Sequence, residues 1–123
     1  MEIKMIDCEF SICKVEDLSQ ITLSDPFYFI AITDEELSLV CKSSSVPQNC
    51  IECDHDWRAF RIEGQLDFSL VGILSKISAL LAENEISIFA ISTFNTDYIL
   101  VKKHNFEKAI VCLEAEGYDI SKP

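Results

Sequence analysis

The chain contains no apolar run that approaches the length of a transmembrane helix. Its first residues, Met1-Glu2-Ile3-Lys4-Met5, lack the apolar core of a secretory signal. It has only two histidines, His55 and His104, and no Ser, Cys or Asp stands in a recognisable nucleophile elbow or triad signature. No second Cys-x-x-Cys pair accompanies Cys50 and Cys53, so a four-ligand zinc set is missing at the usual spacing. Basic residues are scarce, ten against 21 acidic, for a net charge of -11. A chain this acidic is repelled by nucleic-acid phosphates and by anionic membrane surfaces. These absences point to a cytoplasmic protein that is not an enzyme, has no catalytic residues, holds no metal or cofactor, and binds neither nucleic acid nor membrane.

What remains is ample material for a core: 49% of the 123 residues are hydrophobic, enough for one ordinary domain or two very small ones. The six cysteines sit mostly in apolar runs, where a reduced thiol behaves as a small hydrophobe, and read as unbridged.

The C-terminal half has clear periodicity. Trp57 to Ile62 alternates like a strand. From Phe68 to Glu83 the apolar residues Leu70, Ile73, Leu74, Ile77, Leu80 and Leu81 form a helical stripe. Asp67 is the expected N-cap and Asn84 the expected left-handed stop. Ile86 to Thr93 and Tyr98 to Lys102 are β-rich segments joined by Asn95-Thr96-Asp97, which makes a hairpin. Phe106, Ala109, Ile110 and Leu113 give a second helix from about Asn105 to Glu116, ended by Gly117. Tyr118 to Ile120 forms a last short strand. The order is strand, helix, strand, strand, helix, strand, a split βαβ pattern.

The N-terminal half repeats this order with its helices cut down. Strands are expected at Cys8–Lys14, Phe27–Ile32, Leu37–Cys41 and Cys50–Cys53. Glu16 to Ser24 leaves room for only a turn or two of helix, and Ser43 to Pro47 is again short. This suggests duplication of topology without a convincing residue-level repeat. The polar segment Cys53-Asp54-His55-Asp56 marks the expected boundary, giving units 1–55 and 56–123.

Two motifs carry the functional reading. Helix-initial N–H groups lack internal partners and favour an anion, and Gly72 leaves room for a close approach. Tight helix-to-sheet packing explains the glycine equally well. In Ser92-Thr93-Phe94-Asn95-Thr96-Asp97, the Thr93 hydroxyl and Asp97 carboxylate lie near the hairpin turn, where Asp97 suits an ammonium or guanidinium. Turn capping by the same residues is the plainer alternative.

Together, Gln65-Leu66-Asp67-Phe68-Ser69-Leu70-Val71-Gly72-Ile73-Leu74, Ile86-Ser87-Ile88 and Ser92 to Val101 resemble an ACT domain. The similarity is to small bacterial proteins of two tandem ACT-like units, related to the ACT domains of the eukaryotic cytosolic arginine sensor. It is clearest over Trp57 to Tyr118. Before that, only Glu36-Leu37-Ser38-Leu39-Val40-Cys41 stands out.

The resemblance implies an α+β protein of two tandem ferredoxin-like (βαββαβ) units, the N-terminal one with shortened helices. It implies a non-enzymatic regulatory module that binds an amino acid or similar small molecule where ACT units meet, and a homo-oligomer such as a dimer. The implied ligand-binding residues are Asp67, Phe68, Ser69, Leu70, Val71, Gly72, Ile73, Thr93, Phe94 and Asp97. The alternative is a structural protein whose ACT surfaces serve oligomerisation or partner docking without a ligand. A metal or redox role for Cys50 and Cys53 is set aside, because the run is strand-like and Cys41 would have to be recruited from another strand.

Overall fold

The computed structural model describes residues 1–63 and 72–123. Seven strands and two α-helices follow in the order β1 (Glu2–Val15), β2 (Phe29–Ile32), β3 (Leu37–Lys42), β4 (Cys50–Ile62), α1 (Ile73–Glu83), β5 (Ile88–Ser92), β6 (Asp97–Lys102), α2 (Phe106–Ala115) and β7 (Asp119–Ser121). The fold is thus mixed α and β, with a largely antiparallel sheet. The chain divides into two compact units, one of residues 8–57 and one of residues 1–7 with 58–123.

In the larger unit, β5 pairs antiparallel with β6, and β7 pairs parallel with the first residues of β1, Ile3 opposite Ile120. The helical stripes do what their spacing predicts. Ile77 and Leu81 of α1, and Phe106, Ala109 and Leu113 of α2, are buried with Ile62, Ile99 and Val101 of the sheet. Ile73, Leu74 and Leu80 pack partly buried against this core. Gly117, at φ 94, ends α2 in a left-handed turn. The Gly117 N–H donates to the Glu114 carbonyl at 3.0 Å and the Tyr118 N–H to the Leu113 carbonyl at 3.1 Å, so the last carbonyls of the helix are satisfied.

Two expectations for α1 need correction. The helix begins at Ile73, not Phe68, because Gly72 at its N-terminus has φ 84, which no continuous right-handed helix accommodates. The proposed cap Asp67 lies outside the described residues. Asn84 is not left-handed either, with φ -98. Its side-chain amide instead donates to the Leu80 carbonyl at 2.9 Å, and Glu85 takes the positive φ of 59.

In the smaller unit, β3 pairs antiparallel with β2 and with the later residues of β1, Cys13 opposite Leu39. The expected turn of helix after Glu16 is replaced by irregular chain. The Asp17 carboxylate accepts from the Ser19 N–H at 2.9 Å and from the Asn49 side chain at 3.1 Å, and such local bonds compete with helix formation. The Ser19 hydroxyl and N–H hold the Asp17 carboxyl below its ordinary pKa. A single 3-10 turn over Ser43–Ser45 stands where a second helix would be.

Cys50–Cys53 and Trp57–Ile62 are not separate strands. They form one, β4, which runs through the polar segment Cys53–Asp56 and is marked there only by Asp56 at φ 69. Polar residues on an exposed stretch of strand look like a linker when only composition is available. Trp57 is buried, and its indole N–H donates to Asp54 at 3.3 Å.

The two hairpins, β2–β3 and β5–β6, share one construction. Phe29 faces Val40 and Ile32 faces Leu37; Phe89 faces Leu100 and Ser92 faces Asp97. Every position recurs sixty residues later. In one turn the Thr33 N–H donates to the Glu36 carbonyl at 3.0 Å, and in the other the Thr93 N–H donates to the Thr96 carbonyl at 2.8 Å. Each hairpin then leads into a single 3-10 turn, at Ser43–Ser45 and at Lys103–Asn105. In sequence this recurrence is visible only as element order, because the two hairpins share backbone pairing and turn chemistry more than side-chain identity.

Candidate functional site

At the C-terminal end of β4, Arg61, Ile62 and Glu63 meet the turn and following strand at Thr93, Asn95, Thr96 and Tyr98 around a cleft of ≈ 410 Å³. The anchor is Thr96. Its side chain is buried, and its hydroxyl donates to the Ile62 carbonyl at 2.6 Å. That bond fixes the hairpin turn beside the point where the chain leaves β4 for Gly64. The Thr93 hydroxyl closes the turn from within, donating to the Thr96 carbonyl at 3.0 Å and accepting from the Thr96 N–H at 3.3 Å.

Arg61 brings the positive charge. Its Nη1 donates to the Tyr98 hydroxyl at 3.2 Å, and its Nε donates to Glu63 at 3.3 Å. The guanidinium lies 5.9 Å from the Tyr98 ring centre. Partial burial works against its charge, but the Tyr98 and Glu63 contacts outweigh that and hold the pKa above its ordinary value. The Arg61–Glu63 pair is still partly exposed, 24% and 33%, so its net worth is at most about 1 kcal/mol. A ligand offering a carboxylate to Arg61 and an ammonium to Glu63 can displace it at small cost.

The expected residues are distributed as follows. Thr93 lines this cleft. Asp97 does not; its carboxylate accepts from the Ser92 hydroxyl across the first pair of the hairpin. Phe94 is 77% exposed at the tip of the turn. Gly72 is exposed, with open space where a Cβ would stand, and Ile73 is half-buried against the core. Asp67, Phe68, Ser69, Leu70 and Val71 lie outside the described residues. Arg61, Glu63 and Tyr98 were not singled out from sequence. Only the position of Arg61 on the polar side of an alternating strand, in a chain with few cations, hints at its role.

A second grouping joins residues far apart in sequence. The sulfurs of Cys13, Cys50 and Cys53 all lie within 4.8 Å of one another, with Cys13 and Cys53 3.1 Å apart. The His55 Nδ1 is 3.6 Å from the Cys53 sulfur and 2.8 Å from the buried Ser11 hydroxyl, which also contacts the Ser43 hydroxyl at 2.8 Å. Ser11 is fully enclosed and closed to a substrate. Among the described residues, which include all six cysteines, there is no disulfide. Among them, too, no helix is long and apolar enough to cross a membrane.

Known structures share the architecture. An Agobacterium tumefaciens protein solved by X-ray crystallography is 28% identical, with a TM-score of 0.88 over 99% of this chain and 92% of that one. A Vibrio cholerae protein of unknown function, described as a possible transport protein, is 20% identical, with a TM-score of 0.69 over 93% of this chain and 88% of that one. An aspartate kinase from Clostridium acetobutylicum, described as an allosteric enzyme, is 16% identical, with a TM-score of 0.65 over 92% of this chain and 33% of the kinase. The last two likenesses concern the fold alone. No curated protein matches the chain. The family profile ACT_7, described as an ACT domain, matches residues 52–115, just over half of the chain. ACT domains are regulatory modules that generally bind small molecules such as amino acids and often oligomerise. The chain belongs to the ACT domain family.

Proposed function

We propose that this protein is a regulatory amino-acid-binding module whose site is the cleft between the end of β4 and the β5–β6 turn. The observation that carries the reading is the Arg61–Tyr98–Glu63 group beside a turn pinned by Thr96. Arg61 takes the ligand carboxylate and Glu63 its ammonium. The Thr93 hydroxyl sets the ligand's position. The family resemblance further implies ligand contacts from Asp67 to Ile73 and from Phe94 and Asp97. Binding favours one arrangement of the protein only if the ligand holds that arrangement more tightly than the others.

In the same reading, residues 1–55 and 56–123 derive from two tandem ACT-like units. The support is the recurrence of the β2–β3 hairpin sixty residues later as β5–β6. The working form is a homo-oligomer in the cytoplasm. Strand β2 favours self-association, since its Ile32 is 69% exposed on a short apolar strand. That feature also serves the second reading, a ligand-free docking protein.

A thermal-shift screen against all proteinogenic amino acids separates the two. Stabilisation by one or a few of them, lost in Arg61→Ala with the fold intact, supports ligand control. A correctly folded sample that no amino acid stabilises at millimolar concentration favours docking without a ligand.

A further inference from the structure

The smaller unit has no α-helix over the sheet face that carries Cys41 and Leu39. In the larger unit the positions sixty residues on, Val101 and Ile99, are buried in the core formed with α1 and α2. In the smaller unit that face carries a mixed cluster: Cys13, Val15, Leu39 and Cys41 are buried, and Ile21, Tyr28, Leu37, Val46, Cys50 and Cys53 pack against them. Four of its members are cysteines drawn from three strands.

We propose that Cys13, Cys41, Cys50 and Cys53 bind one thiophilic metal ion of the zinc type, which staples this helix-poor unit. The geometry carries it. A zinc–sulfur bond of about 2.3 Å puts the sulfurs of a tetrahedral site about 3.8 Å apart. The sulfurs of Cys13, Cys50 and Cys53 already lie within 4.8 Å of one another, and the 3.1 Å between Cys13 and Cys53 needs to open by less than about 1 Å. Cys50 and Cys53 stand at the two-residue spacing common in zinc sites.

Cys41 supplies the fourth sulfur. Ser11 faces Cys41 across the β1–β3 ladder and Cys13 faces Leu39, so Cys41 is the diagonal neighbour of Cys13 on the same face. Cys41 shares the buried cluster of Cys13. A bound cation takes these sulfurs as thiolates, the thiol protons being released to solvent as the metal–sulfur bonds form. Small units that cannot bury enough apolar surface commonly gain their stability from such a staple.

The test uses the full chain, fully reduced and stripped of metal. Titration with Co²⁺ should give, at one equivalent, thiolate-to-cobalt charge-transfer bands and the strong visible bands of a tetrahedral site. Zn²⁺ should then bleach them. The double variant Cys50→Ser/Cys53→Ser should lose the bands and weaken Zn²⁺ binding by more than about a hundredfold in a chelator competition. Cys112→Ser, on α2 and outside the cluster, should titrate like the unaltered chain. Absence of thiolate bands in the unaltered chain overturns the proposal without recourse to any variant. So does a folded double variant that binds Zn²⁺ as tightly. If His55→Ala removes the tetrahedral spectrum and Cys41→Ser does not, the four-sulfur set is overturned.

Discussion

Thr96→Val isolates the bond on which the proposed site depends. Valine matches threonine in shape, so the change removes a hydroxyl without opening a cavity. The hydroxyl is buried and donates to the Ile62 carbonyl at 2.6 Å, on the strand from which the chain enters residues 64–71. Its loss leaves a buried carbonyl short of a donor, which costs about 1–3 kcal/mol. The backbone N–H of residue 96 still reaches the Thr93 hydroxyl, so the turn itself survives and the lower half of that range, about 1–2 kcal/mol, is expected. For a chain of this length that corresponds to a fall in Tm of roughly 3–8 °C. Urea denaturation with a common m-value measures it. Thr96→Ser keeps the donor and should recover most of the loss. If Thr96→Val stays within about 0.5 kcal/mol of the unaltered chain, the bond does not pin the turn and the architecture of the cleft is wrong.

Other perturbations probe the rest of the fold. Leu81→Ala empties a fully buried position of α1 and should cost about 3–5 kcal/mol, read by the same denaturation. Gly72→Ala meets no atom within 4 Å, so its penalty is the left-handed backbone alone, about 1–2 kcal/mol, and a neutral result would show that φ 84 is not required. In the reduced, metal-free chain at pH 8, Cys41 should resist iodoacetamide far longer than Cys112. It is fully buried, and with its thiol pushed up to about 11 only about one molecule in a thousand is ionised; peptide mass mapping over time reads the order. Ile32→Lys should lower self-association in sedimentation experiments while leaving Tm nearly unchanged, because the side chain is already 69% exposed.

How much of this was legible depended on whether a residue's role was local. The stripe Ile77, Leu81 and the stripe Phe106, Ala109, Leu113 repeat at helical spacing, and burial follows spacing directly. Gly117 announces the end of α2 because the left-handed turn there suits few other residues. Arg61 had no such signature, since a cation on the polar side of a strand reads as solvated until Tyr98 arrives from another strand. Cys13 likewise gave no sign of joining Cys50 and Cys53, because strand pairing rather than spacing brings them together. The polar run Asp54-His55-Asp56 was expected to lie between strands, yet the backbone continues through it as one strand.

The two hairpins differ at the residue that frames the cleft. Their turns are stereochemical copies, each with a threonine whose hydroxyl accepts the N–H three residues on, at Glu36 and at Thr96. The side chain at that fourth position differs. Glu36 is exposed, and its carboxylate has no proton to donate to a strand carbonyl, so it cannot make the bond that Thr96 makes. Thr96 is small enough to be buried and has the donor, so the β5–β6 turn is drawn onto the end of β4 and the cleft forms beside it. The same substitution also separates the two sources of order in the chain. Where helices complete the core, the hairpin turn is stapled by a hydroxyl and left to frame a small-molecule site. In the helix-poor unit, Glu36 takes the place of Thr96 and four cysteines join the apolar cluster on the sheet face. A Thr96→Glu chain should therefore lose the cleft without losing the hairpin, retaining its β-sheet circular dichroism while any amino-acid response in the thermal-shift assay disappears.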